Sequence, residues 1–189
     1  MSYILKPSPN QYLHNHVLDD ETGAIRVIEN EHALSHLGLL YSAHQSSVAL
    51  ANDGFLYFEI KPPENVEVHL KAASVWVLDE HWIYKLVEAP TFTTGSTALS
   101  ILNRNRGSAL SARTSIKTNP TAISGGTTLD QILLGGGSGV GATSSAGLLS
   151  LSNEWELKDN ATTILSLQNK TGAASKAWIE ILFYELPER

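Results

Sequence analysis

The sequence contains no cysteine. Disulfide staples, thiolate zinc sites and cysteine nucleophiles are therefore excluded, and the chain must hold its core by packing alone. At 189 residues it is long enough to do so, since a domain near this size buries about 70% of the surface its unfolded chain exposes. Assembly in a reducing cytoplasm is the matching expectation. Basic residues are also scarce: thirteen Lys and Arg stand against nineteen Asp and Glu, a formal net charge of −6. A protein that neutralises many phosphates needs the opposite balance, so no nucleic-acid partner is expected. No apolar run reaches the roughly 18 residues of a membrane-spanning helix, and no membrane partner is expected either. The first ten residues hold Pro7 and Pro9 and no apolar leader-like stretch, so the chain reads as soluble and unexported. Charged residues make up 17% of the chain, below the roughly 25% usual in globular domains. Ser, Thr, Asn and Gly fill the gap, a composition suited to surface that neighbours cover.

What is present is period-two alternation. Val66, Val68 and Leu70 alternate with Glu67, His69 and Lys71, the pattern of a strand with one face in a core and one in water. Phe55 to Ile60 reads as a strand stopped by Pro62-Pro63, because proline cannot donate to a ladder. Further strands are expected at 24–28, 75–78, 82–87, 97–102, 111–118, 155–158, 162–168 and 176–186, and a strand or helical turn at 127–134. Asn169-Lys170-Thr171-Gly172 reads as a hairpin turn between the last two of them. Residues 31–47 read as a short turn or helix, because His32, His36 and Leu40 share a helical face that Gly38 interrupts. Residues 1–30, polar and proline-marked, read as an arm. The expected fold is all-β, an antiparallel β-sandwich or jelly roll spanning 31–189 with an extended N-terminal arm.

Signatures of catalysis are missing. The run Gly137-Ser138-Gly139-Val140-Gly141-Ala142-Thr143 imitates a phosphate loop, but Ala142 stands where the lysine is needed; the whole stretch from Gly135 reads as a surface loop. No serine sits in a nucleophile elbow, no pair among Glu59, Glu64, Glu67, Asp79 and Glu80 stands out for glycoside cleavage, and Asp79-Glu80-His81 are sequence neighbours that strand geometry points to opposite faces. His14 with His16, and His32 with His36, have the spacing of two metal ligands on one strand or helix face. A further ligand from Glu31, Asp19 or His44 is not identified, and Ala33 follows His32 where a glutamate-assisted zinc motif needs Glu. Hydrogen-bonded histidines are the expectation, with no metal, cofactor or catalytic residue. Trp76, Trp82, Trp155 and Trp178 are expected to pack in the core.

Several segments together carry a resemblance: His32-x3-His36-x-Gly38, an aromatic-rich strand, Leu86-Val87-Glu88-Ala89-Pro90, Gly95-Ser96, Asn103-Arg104-Asn105-Arg106-Gly107-Ser108, and Trp178-Ile179-Glu180. In this order, from His32 to Tyr184, they resemble a family of small virion proteins of tailed bacteriophages that look like capsid decoration or head-associated proteins. The Asn-x-Asn-Arg corner is the most distinctive part; after Gly38 the chain has Leu39-Leu40-Tyr41 where an aromatic is common. The resemblance implies an oligomeric, non-catalytic sandwich subunit, a homotrimer by role, made in the bacterial host cytoplasm and bound to the major capsid protein and sister subunits on the capsid surface. His32, His36, Asn103, Arg104, Asn105, Arg106, Trp178 and Glu180 are the assembly candidates. Arg104 and Arg106 suit forks onto carboxylates that fix the corner or bridge subunits, the first being the expectation. Residues 1–20 suit an arm draped over the capsid or a sister subunit. The alternative function is a tail or fibre module binding a receptor or glycan, which exposed tryptophans would favour.

Overall fold

The computed structural model describes residues 16–18, 25–27, 30–79, 81–95, 97–134 and 154–186. The glycine loop from Gly135, His14 and most of the expected arm lie outside them. Of residues 1–30, β1 (His16–Leu18) and β2 (Ile25–Val27) are described and pair antiparallel, Val17 opposite Arg26. The helix α1 (Asn30–His36) follows, then β3 (Leu40–Leu50), β4 (Phe55–Lys61), β5 (Glu67–Val77) and β6 (Trp82–Glu88). Five short strands come next: β7 (Thr91–Thr93), β8 (Thr97–Ala98), β9 (Leu102–Asn103), β10 (Ser115–Thr118) and β11 (Thr121–Ser124). The chain ends with β12 (Thr127–Leu134), β13 (Trp155–Leu157), β14 (Thr163–Asn169) and β15 (Ser175–Leu186). Among the described residues no helix is long and apolar enough to cross a membrane.

Two antiparallel sheets make the sandwich. One has six strands in the order β12-β6-β14-β4-β10-β8, the other five in the order β13-β5-β15-β3-β9. Phe58, Ile60, Trp82, Tyr84, Leu86, Leu165 and Leu167 from the first meet Val68, Leu70, Val75, Ile179, Ile181 and Phe183 from the second in one cluster, all buried. Each aliphatic or Phe side chain among them contributes roughly 1.5–3 kcal/mol by leaving water. The all-β sandwich is therefore as expected, and alternation is its cause: along β15, Ala177, Ile179, Ile181 and Phe183 are buried while Trp178, Glu180 and Leu182 are less so.

Local expectations fail in four places. Residues 40–50 form a strand rather than continuing a helix. Gly38, at φ +72°, ends α1: its N–H reaches Ser35 O and the Leu39 N–H reaches Leu34 O, each at 3.0 Å, the paired bonds of a Schellman cap. The stretch 97–102 splits into β8 and β9, which join different sheets. The stretch 111–118 forms a strand only from Ser115. The turn at 169–172 is not a hairpin, because β14 and β15 belong to opposite sheets. Buried Asn169 holds that arch, donating from Nδ2 to Leu50 O and Ala173 O at 2.8 Å each.

The core also sets an alkaline limit. Burial, and then the charge of Asp130, pushes the Tyr84 hydroxyl far above the ordinary value of 10.0. Burial likewise raises Tyr41, with Glu185 adding to it, and Tyr57. The folded state therefore keeps protons that the unfolded chain releases near pH 10. Stability from these groups is complete below about pH 10 and falls as pH rises through their folded values. Thermal denaturation between pH 8 and 11.5 is expected to show a plateau, then a decline that Tyr84→Phe makes shallower. Equal slopes in the two proteins would refute the assignment to Tyr84.

Candidate functional site

The candidate surface is the outer face of the five-stranded sheet. Register fixes its rows: Trp178 of β15 lies opposite Trp76 of β5 and Ser46 of β3; Glu180 lies opposite Ser74 and His44; Leu182 opposite Ala72 and Ser42; Tyr184 opposite His69 and Leu40. One end is roofed, because Leu34 of α1 packs on Leu40 and Tyr184. The other end is open. Trp76 is 45% exposed and Leu78, two residues on, is exposed as well. The rings of Trp76 and Trp178 stand 4.0 Å apart at 60°, and the His44 ring lies 6.3 Å from Trp178 at 21°. Core packing therefore holds for Trp82, and for Trp155 in part, but Trp76 and Trp178 point outward.

Polar groups border this aromatic end. Arg104 Nη1 stands 3.7 Å from Glu180 Oε1, with Arg104 half-exposed. An exposed pair this long is worth about 0–1 kcal/mol, so either group exchanges its partner at little cost. The corner itself is held by the asparagines rather than by arginine forks. Asn103 Nδ2 donates to Gly38 O and Leu110 O, 2.9 Å each, and its Oδ1 accepts Asn105 N–H at 2.8 Å. Asn105 Nδ2 donates to His36 O at 3.0 Å, and its Oδ1 accepts Gly107 N–H. Asn105 thus satisfies the carbonyl of the last residue of α1, which has no partner within the helix, and Asn103 that of Gly38 just beyond it. Arg106 is exposed and takes no part in these bonds.

His32 and His36 do share a face, with their Nε2 atoms 2.8 Å apart and both residues exposed. At that distance one ring donates and the other accepts, as expected of hydrogen-bonded histidines. Among the described residues no third metal-ligating group joins them.

At the far edge of the same face lies a second polar group. His69 Nε2 is 2.7 Å from Glu67 Oε1, and His69 Nδ1 is 2.7 Å from Glu154 Oε1. The Tyr184 hydroxyl donates to that same Glu154 oxygen, and its ring stacks on His69 with centroids 4.6 Å apart at 6°. Burial, and next the bond to Glu154, raises the Tyr184 hydroxyl well above the usual range. Glu156 of β13 lies directly opposite His69 in register.

No family model, no curated protein and no solved structure matches the chain.

Of the assembly candidates, Trp178, Glu180 and Arg104 converge on the open end, while His32, His36, Asn103 and Asn105 gather at the roofed end. Trp76 and His44 were missed as members of the aromatic end. Period two puts Trp76 on the face opposite Val75 and Val77, but which face is wet depends on the partner sheet. The Glu67–His69 edge was missed for a different reason. Glu67 and His69 were legible as the polar side of a strand, whereas Glu154 and Glu156 reach them only because β13 pairs with β5 from 85 positions away, Glu154 to His69.

Proposed function

We propose that the chain is a non-catalytic assembly subunit of a tailed-phage virion, a decoration protein that binds the head lattice through the open aromatic end of the five-stranded sheet. The outward-facing Trp76–Trp178 pair, Trp76 exposed and Trp178 partly buried, carries this reading. Aromatic and Arg side chains are the residues that anchor interfaces, near the centre of a patch that a polar rim surrounds. Here Trp76, Trp178 and Leu78 form the apolar centre, with Arg104, Glu180 and His44 beside it. The strand order supports the jelly-roll form of the sandwich. With β3, β4, β5, β6, β12, β13, β14 and β15 counted one to eight, the sheets read 1-8-3-6 and 2-7-4-5, two interlocked Greek keys of the kind that capsid and lectin domains use. Placement on a phage head is supported by the resemblance from His32 to Tyr184, since a sandwich by itself serves many functions. A homotrimer contacting the major capsid protein and sister subunits is the form this role takes.

Exposure of Trp76 also favours the second reading, a glycan-binding module, because a tryptophan face next to a carboxylate and a guanidinium suits a sugar ring with its hydroxyls. One experiment separates them. The purified chain and its Trp76→Ala variant are titrated onto heads of the parent phage stripped of this protein, and separately with oligosaccharides while Trp fluorescence is followed. Assembly through this face predicts saturable head binding that Trp76→Ala weakens about 30-fold or more, the scale of a hot-spot residue, with unchanged melting. Equal head binding by the variant would overturn the proposed face. Sugar-dependent quenching without head binding would establish the module reading instead.

A further inference from the structure

We propose that the outer edge of the five-stranded sheet is a divalent transition-metal site, with His69, Glu67 and Glu156 as ligands and Glu154 and Tyr184 as its support. The proposal is independent of the virion reading. Sheet geometry assembles the ligands: Glu67 and His69 stand two apart on one face of β5, and Glu156 stands across from His69 on β13. One ligand atom from each of the three lies within 4.8 Å of the others.

The imidazole gives this cluster its chemical direction. Metal-bound histidines characteristically donate their second ring N–H to a carboxylate, which fixes the ring and raises its basicity. His69 already has that backing. Its Nδ1 meets Glu154 Oε1 at 2.7 Å, the Tyr184 hydroxyl pins the same oxygen, and the Tyr184 ring lies flat on the imidazole. The other nitrogen, Nε2, is left facing Glu67, with Glu156 across from His69 on β13. It now meets Glu67 Oε1 at 2.7 Å. Two ligands on one tetrahedral ion with bonds near 2.0–2.1 Å stand about 3.3 Å apart, so a small rotation of the Glu67 side chain admits the ion. The ion takes the lone pair of Nε2, since a ring nitrogen ligates only in its deprotonated form.

One imidazole and two carboxylates select the class of ion. Such a set suits zinc or a neighbouring first-row divalent ion, whereas calcium and magnesium favour oxygen ligands throughout. Three protein ligands leave a fourth position for water. Lys71, two residues beyond His69 on the same strand, is the nearest cation in sequence, and it makes contacts of its own.

The test uses the full chain carrying His14→Ala, His16→Ala, His32→Ala and His36→Ala, which removes both other histidine pairs with ligand spacing. Freed of metal by chelation, this parent is titrated with zinc chloride by calorimetry, and its melting temperature is followed with and without zinc. One ion per chain is expected, with a zinc-dependent rise in melting temperature. His69→Gln is expected to weaken binding about 100-fold or more, and Glu156→Gln, an exposed ligand whose loss spares the fold, at least tenfold. Glu154→Gln, which touches no metal, is expected to weaken it about 10–100-fold, the range for a supporting residue. No saturable zinc binding by the parent overturns the proposal, and so does binding that Glu156→Gln leaves unchanged.

Discussion

Gly95→Ala is expected to destabilise the fold by about 3 kcal/mol, through overpacking combined with loss of a buried hydrogen bond. A Cβ on Gly95 would stand 2.1 Å from Thr118 O and 3.2 Å from Glu59 Oε2. The first contact is with backbone at the end of β10, which cannot swing aside as a flexible side chain would. Beneath Gly95 sits Glu59, on the outer side of β4 yet only 5% exposed. Its carboxylate accepts the Thr94 hydroxyl and the Gly95 N–H, both at 2.5 Å. Relief of the clash moves the 94–95 segment away and leaves that carboxylate desolvated without its donors. At roughly 2–4 °C per kcal/mol for a chain of this size, melting should fall by about 6–12 °C. A melting temperature within about 2 °C of the unmodified chain would show that the loop does not lie against β10 as described.

Glu185→Ala should cost a similar amount, about 3 kcal/mol, at the other anchored loop. Glu185 follows the outward Tyr184 on β15 and is buried. It accepts the Thr114 N–H at 2.7 Å and the Arg113 N–H at 3.0 and 2.9 Å through its two oxygens. Hydrogen bonds to an ionised acceptor are worth about 1.5–3 kcal/mol each, and removal of the acceptor strands two backbone donors. Glu185→Gln keeps the shape and one acceptor oxygen, so roughly half the loss is expected. The loop it holds carries Arg104, Arg106 and Arg113, all exposed, which gives a local readout. Limited trypsin digestion should cut Glu185→Ala at these arginines well before it cuts the unmodified chain. Equal cleavage rates with equal melting temperatures would refute the anchoring role.

Both predictions concern carboxylates that the sequence shows as ordinary strand residues. Glu59 follows Phe58 in a run that reads correctly as β4, and Glu185 closes a run that reads correctly as β15. Neither neighbouring pattern signals burial, because the groups that cover them come from 36 residues away in one case and 71 in the other. The Asn103–Asn105 corner was the reverse case. Its polarity and its tight Gly107 were visible locally, but its role is to cap the end of α1, where Asn105 donates to His36 O across 69 residues.

By itself the sequence determined the class of the fold and most of its strands. Side-chain direction along a strand repeats every two residues, so apolar alternation at 66–70 and 176–186 is local information. It failed for β3, where Ser42, His44, Ser46 and Ser47 weaken the alternation and an (i, i+4) echo from α1 imitates a helix. Tertiary structure alone decided which strands pair, which surface stays wet and which charges are brought together. Those outcomes depend on contacts between residues scores of positions apart, on Trp76 meeting Trp178 and on Glu154 reaching His69, and no short window of sequence contains both partners.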